Sequence, residues 1–226
     1  MLAVIIPANN EEASIGACLR SVEVAASWPG LHGEQVLVIV VLDACTDDTA
    51  RVATRTSARL ISVAARNVGI ARAEGARYAL SLGARWLAFT DADTVVAPDW
   101  LHVQMSLCSD AVCGTVSVTD WGTYGEPMRQ HFDATYTDAD GHQHIHGANL
   151  GVCARAYQRV GGFEPLASSE DVALVRALQA VGARIAWSAA PRVVTSARRM
   201  FRAPGGFGST LLRVSEAQEL NAGTVP

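Results

Sequence analysis

The sequence predicts an α/β fold: a mostly parallel sheet with helices on both faces, followed by a smaller, less regular mixed region. Three observations carry this. Four Val- and Ile-rich or aromatic runs without polar alternation, Leu2–Ile6, Val36–Leu42, Leu60–Val63 and Trp86–Phe89, read as strands buried on both faces. Helical patterns separate them. The 226 residues are 50% hydrophobic and only 18% charged, against a usual charged share of about 25%, which suits one sizeable core.

Each element has its own signal. In the first connection Ile15, Cys18, Leu19, Val22 and Ala26 recur at helical spacing, with Asn10 as the expected cap and Glu11 and Glu12 in the first turn. A second helix is expected to open at Thr46-Asp47-Asp48, and a third to run from Val68 to Leu82. Pro98-Asp99-Trp100 reads as a helix start with Pro at the first helical position. Ala111 to Val118 reads as a strand. Thr119 to His146, rich in aromatics, Asp, His and Gly, reads as a functional insert with a helix near Glu126 to Tyr136. Ala154–Val160 and Ser169–Val181 read as helices, and Arg184–Ser188 and Arg192–Thr195 as short strands. Pro204-Gly205-Gly206-Phe207-Gly208 is expected to be flexible.

Composition excludes several classes of chemistry. All 18 basic residues are Arg, so Schiff-base and pyridoxal enzymes, P-loop NTPases and protein kinases lack their required Lys. A net charge of −4 argues against a nucleic-acid partner. The five cysteines are scattered, with no C-x-x-C pair, and read as small apolar residues in a reducing compartment. Leu2–Ile6 has no basic flank and stops at Pro7, so it does not read as a targeting signal. Val36–Leu42 falls far short of the ~20 residues that span a bilayer. A cytoplasmic protein is expected, and peripheral contact with a membrane surface is compatible with this.

Ligands of open α/β sheets bind at the carboxyl ends of the strands. Four turns follow the four runs: Pro7-Ala8-Asn9-Asn10-Glu11-Glu12, Asp43-Ala44-Cys45-Thr46-Asp47-Asp48, Ala65-Arg66-Asn67 and Thr90-Asp91-Ala92-Asp93-Thr94. The first has no Gly and two carboxylates, which excludes a dinucleotide pyrophosphate turn but leaves room for a base and ribose. Asp91-Ala92-Asp93, just past a buried run, suits one Mg²⁺ or Mn²⁺ shared with substrate phosphates. A second copy, Asp138-Ala139-Asp140, follows no apolar run and reads as a solvated loop. Glu170-Asp171 opens a helix, where Asp171 is a candidate base. Thr195-Ser196-Ala197-Arg198-Arg199 offers paired guanidinium groups that suit a phosphate. His142, His144 and His146 would share a face on a strand, but no Cys or second His cluster supports zinc. Trp121, Tyr124 and Tyr136 read either as core or as a sugar-stacking face.

This constellation resembles the family 2 glycosyltransferases of GT-A fold over most of the chain, roughly Leu2 to Arg199. Val4 to Glu12 looks like the family's opening strand and P-x-x-N-E turn, and Asp43 with Thr46-Asp47-Asp48-Thr49 is similar to its D-x-x-S/T-x-D-x-T segment. Ala65-Arg66-Asn67-Val68-Gly69, Asp91-Ala92-Asp93, Gly147-Ala148-Asn149 with Gly161-Gly162-Phe163, and Glu170-Asp171 follow in the family's order. Ala44 and Cys45 depart from the more usual polar pair.

The resemblance implies transfer of a sugar from a nucleoside-diphosphate sugar to an acceptor hydroxyl, with inversion. Pro7, Ala8, Asn9, Glu11 and Asp43 would then surround the base and ribose, with Arg66 nearby. Asp91, Ala92 and Asp93 would meet the ribose and a Mn²⁺ or Mg²⁺ ion. Asp171 would deprotonate the acceptor, supported by Glu170. Gly147, Ala148 and Asn149, with Trp121, would lie on the acceptor side. Residues 1–110 would form the donor half, 111–199 the acceptor and base half, and 200–226 a tail or lid. Competing readings are a non-catalytic nucleotide-sugar or carbohydrate-binding module and a nucleotide-sugar pyrophosphorylase; the latter would want a Gly-rich basic first turn.

Overall fold

The four apolar runs do form strands: β1 (Leu2–Ala8), β2 (Val36–Asp43), β3 (Arg59–Val63) and β4 (Trp86–Phe89). In a computed structural model, which describes residues 1–197, they pair in parallel in the order β3-β2-β1-β4. Three further strands extend the sheet: β6 (Ala111–Gly114), β7 (Leu150–Cys153) and β8 (Ile185–Ser188). The full order is β3-β2-β1-β4-β7-β6-β8, and β7 alone of the seven runs antiparallel, to both β4 and β6. This is the expected mixed, mostly parallel α/β architecture. The sheet runs unbroken across the expected 110/111 division.

Side chains alternate along β1 between two apolar layers. Leu2, Val4, Ile6 and Ala8 face one layer with Ile15, Cys18, Leu19 and Val22 of α1 (Ile15–Ala26) and Trp100 and Leu101 of α4 (Trp100–Ser106). Ala3 and Ile5 face the other, with Ala71, Ala76 and Ala79 of α3 (Val68–Ser81) and Leu174, Val175 and Leu178 of α7 (Glu170–Ala180). Burial on both faces explains why these strands carry no polar alternation.

Boundaries differ from expectation where a local partner wins. Asn10 does not cap α1: Ser14 holds the N-cap position, its hydroxyl bonded to Glu11 rather than to the helix, and Asn10 turns at φ 55°. Pro98 lies before the cap Asp99 of α4, outside the helix. The strand expected to reach Val118 ends at Gly114, because beyond it the chain bonds elsewhere. Val116 N–H donates to Tyr136 Oη at 2.9 Å, and Ser117 N–H donates to Val193 O at 3.1 Å. The remaining helices are α2 (Thr49–Ala53), α5 (Gly125–Thr135) and α6 (Ala154–Arg159). A separate two-stranded ladder joins β5 (Val95–Val96) to β9 (Val193–Val194). Arg198, Arg199 and the 200–226 tail lie outside the described residues.

Asn149 ties the start of β7 to α4 and to the segments that follow β6 and β8. Its side chain is fully buried; Nδ2 donates to Thr115 O at 2.7 Å and Pro191 O at 2.8 Å, while Oδ1 accepts from Trp100 Nε1 at 2.9 Å. Asn149→Ala orphans three buried groups, and a loss of about 3–5 kcal/mol is expected. Urea denaturation checks this; a loss under about 1 kcal/mol would show that water replaces the amide.

Candidate active site

The first two turns are zipped together at the sheet's carboxyl rim. Asn9 Nδ2 donates to Asp43 O at 2.6 Å, Thr46 N–H to Asn10 Oδ1 at 2.7 Å, and Glu11 N–H to Thr49 Oγ1 at 2.7 Å. Glu12 N–H donates to Asp47 at 3.1 Å, and Asp48 N–H returns the bond to Glu12 at 2.9 Å. Cys45 Sγ donates to Ala8 O at 3.2 Å. Glu11 is buried and its carboxylate accepts from Ser14 Oγ at 2.7 Å. Pro7 is half-buried, and the short side chains of Ala8 and Ala92 are buried.

Asp43 ends β2 with its carboxylate turned along the rim. It accepts three backbone N–H bonds, from Ala65 at 2.8 Å, Arg66 at 2.8 Å and Asn67 at 2.7 Å. Arg66 is held there at φ 49°, with its side chain exposed. Asn67 then caps α3 by accepting from Ile70 N–H at 2.9 Å, and its Nδ2 donates to Leu166 O at 2.8 Å. Gly69 lets the chain before α7 approach: a Cβ there would lie 2.7 Å from Glu164 O and 3.2 Å from Glu170 Cβ. The third turn thus seats the Glu170-Asp171 pair.

Arg72, one turn further along α3, joins the remaining carboxylates. It is 4% exposed; Nη2 donates to Asp91 Oδ1 at 2.6 Å and Nη1 to Glu170 Oε1. Its guanidinium carbon lies 5.9 Å from the centre of the Phe163 ring. Gly147 N–H donates to Asp171 Oδ2 at 2.8 Å, and Val172 N–H to Asp171 Oδ1 at 2.8 Å. Burial opposes the charge on Arg72, but the carboxylates of Asp91, Glu170 and Asp171 outweigh it and hold its pKa above the usual range. Burial likewise pushes Glu170 up, against the pull of Arg72. The buried Cys18 thiol is pushed far up, by burial first and then by the charges of Asp91, Asp93 and Glu11. Those three carboxylates therefore act on one small region.

Sequence reasoning missed Arg72. The signal was there: Gly69, Arg72, Ala76 and Ala79 fall at helical spacing on the buried stripe of α3, and only one of them is charged.

A family model, "Glycosyl transferase family 2", matches residues 3–161. The chain belongs to glycosyl transferase family 2. No curated protein matches it. Solved structures with the same fold include S. aureus TarS 1-349 in complex with UDP-GlcNAc (TM-score 0.70, 15% identity, 97% of this chain and 66% of that one). Mannosyltransferase PcManGT from Pyrobaculum calidifontis, in complex with GDP-Man and Mn²⁺, gives TM-score 0.67 and 21% identity, over 97% of this chain and 61% of that one. Glucosyl-3-phosphoglycerate synthase from Mycobacterium tuberculosis, with Mn²⁺, UDP and phosphoglyceric acid, gives 0.61 and 20%, over 100% and 79%. The chain spans just under two thirds of the first of these and less of the second.

Within this family 2 chain, the other expected site residues separate into those at the rim and those in packing. The β5–β9 ladder brings Thr195 beside the Asp93-Thr94 turn, where Thr94 Oγ1 donates to Thr195 Oγ1 at 2.9 Å. Gly147 and the buried Ala148 adjoin Asp171 through the Gly147 amide, whereas Asn149 points into the core and presents no side chain to a ligand. Trp121 is 8% exposed in a small apolar cluster with Tyr124, Met128 and Ala197, a packing position rather than an open stacking face. Asp138 is no second site: it accepts from Thr115 Oγ1 at 2.7 Å and pairs with Arg192 at 2.6 Å. His142, His144 and His146 lie outside any strand and stack, ring centroids 5.4 and 5.9 Å apart, instead of converging.

No group of three or more His, Cys, Asp or Glu among the described residues is placed to hold a metal ion. Two carboxylates suffice for Mg²⁺ or Mn²⁺ when phosphates and water supply the rest. Asp91, with Oδ1 engaged by Arg72, and Asp93 two residues on fit that donor set. Among the described residues no helix is long and apolar enough to cross a membrane.

Proposed function

We propose that this chain transfers a sugar from a nucleoside-diphosphate sugar to an acceptor hydroxyl, with inversion at the anomeric carbon. The observation that supports it most is the Asp91–Arg72–Glu170 link, which ties the Asp91-Ala92-Asp93 turn to the Glu170-Asp171 pair at the rim. Pro7, Asn9, Glu11, Asp43 and Arg66 would hold the base and ribose. Asp91 and Asp93 would hold Mn²⁺ or Mg²⁺, which when bound neutralises charge on the diphosphate leaving group. Arg198 and Arg199 follow directly on the segment bonded to Thr94, and would clasp the same diphosphate. Asp171, oriented by two amides, would take the acceptor proton while the hydroxyl oxygen attacks opposite the leaving group. Gly147 and Ala148 would border the acceptor. The solved relatives bound to UDP-GlcNAc and to GDP-Man with Mn²⁺ support this donor class. All five cysteines are unpaired, consistent with a cytoplasmic, reducing setting.

A melting panel tests this reading. UDP, GDP, ADP and CDP are each added at about 100 times Kd with Mn²⁺ or Mg²⁺. One of them should raise Tm by about 5–10 °C, as expected for about 2.7 kcal/mol of linkage in a domain of this size. No shift with any pair would overturn the donor assignment.

A further inference from the structure

Among the described residues Arg72 is the only buried arginine, and its setting is more specific than charge neutralisation requires. Its guanidinium lies flat on Gly147: a Cβ at that position would collide with Cζ and both Nη atoms. Nη1 and Nη2 are spent on carboxylates from two different segments, while Nε is buried without a partner. The fork is planar and rigid, so its two bond directions are fixed relative to each other. Turning the Asp91 carboxylate therefore turns the plane that holds Glu170, over the very glycine whose amide holds Asp171.

We propose that Arg72 is a positioning residue that couples the orientation of Asp91 on the donor side to the Glu170-Asp171 pair on the acceptor side. The proposal rests on the glycosyl-transfer reading of the site and adds a consequence: donor binding and the acceptor-side carboxylates sense each other, and the coupling is reciprocal. Lysine in place of Arg72 keeps the charge but cannot span both carboxylates. Gly147→Ala keeps the arginine and displaces it.

The test is a binding cycle. Wild type, Arg72→Lys, Glu170→Gln, the double variant and Gly147→Ala are titrated calorimetrically with UDP and with GDP at fixed Mn²⁺. Folding is followed by circular dichroism. Glu170→Gln is expected to change nucleotide affinity at least about five-fold in the wild-type background and less than about two-fold beside Arg72→Lys, within the usual range of site-to-site coupling. Gly147→Ala is expected to weaken affinity by about five-fold or more with the fold intact. An equal effect of Glu170→Gln in both backgrounds, or wild-type affinity in folded Gly147→Ala, overturns the proposal. The same cycle is run with ADP and CDP where the wild type binds neither UDP nor GDP, and a wild type that binds none of the four counts against the donor assignment itself. Melting then decides the link: Asp91→Asn and Glu170→Gln should be non-additive with Arg72 present and additive beside Arg72→Lys. Additivity in both backgrounds overturns it.

Discussion

Asp171→Asn is expected to lower transfer to the acceptor by about 10²–10⁴-fold, the usual contribution of a positioned general base. Nucleotide binding should change by less than about three-fold, because the asparagine oxygen can still accept the Gly147 N–H and only the Val172 N–H, in the first turn of α7, loses its acceptor. The substitution is nearly isosteric and Asp171 is half-buried, so the fold should hold. The measurement is product formation at saturating donor, using the nucleotide identified by the melting panel. Transfer within ten-fold of wild type would remove Asp171 as the base. A product with retained anomeric configuration would do the same by another route, since direct displacement inverts the centre.

Asp93→Ala should be nearly as severe but of a different kind. If Asp93 and Asp91 hold the cation, losing one of two protein ligands costs several kcal/mol of leaving-group stabilisation, on the order of 10³-fold in rate. Unlike Asp171→Asn, it should also weaken nucleotide binding in the presence of Mn²⁺ and leave binding without Mn²⁺ unchanged. Cation-dependent binding preserved in the alanine variant would refute the role. The contrast between the two variants separates loss of the base from loss of the cation.

The first four strands and their turns were legible because their determinants are local. β1, β2, β3 and β4 are each a short apolar run ending in a polar turn, and the sheet places those turns together with no further information. β7 was not legible. It has four residues, one of them Gly, and it is a strand because Leu150 and Val152 find partners on β4 and β6. Asn149 is read correctly only with Thr115, Pro191 and Trp100 beside it, all distant in sequence. The same holds for Asn10, whose Oδ1 serves Thr46 of the next turn rather than its own helix. Arg72 shows a third kind of failure. Its burial follows from helical spacing, but its partners come from β4's turn and from the start of α7, which no window around it contains.

The reversed direction of β7 has a consequence for how such a chain diversifies. β6 arrives at the carboxyl rim of the sheet and β7 departs from it, so residues 115–149 both leave and re-enter the sheet at the end where Asp43, Asp91 and Asp171 gather. This is a hairpin whose long connection lies at that rim. Material gained or lost within it alters what borders Gly147 and Asp171, while the ladder's register and the turns after the first four strands stay as they are.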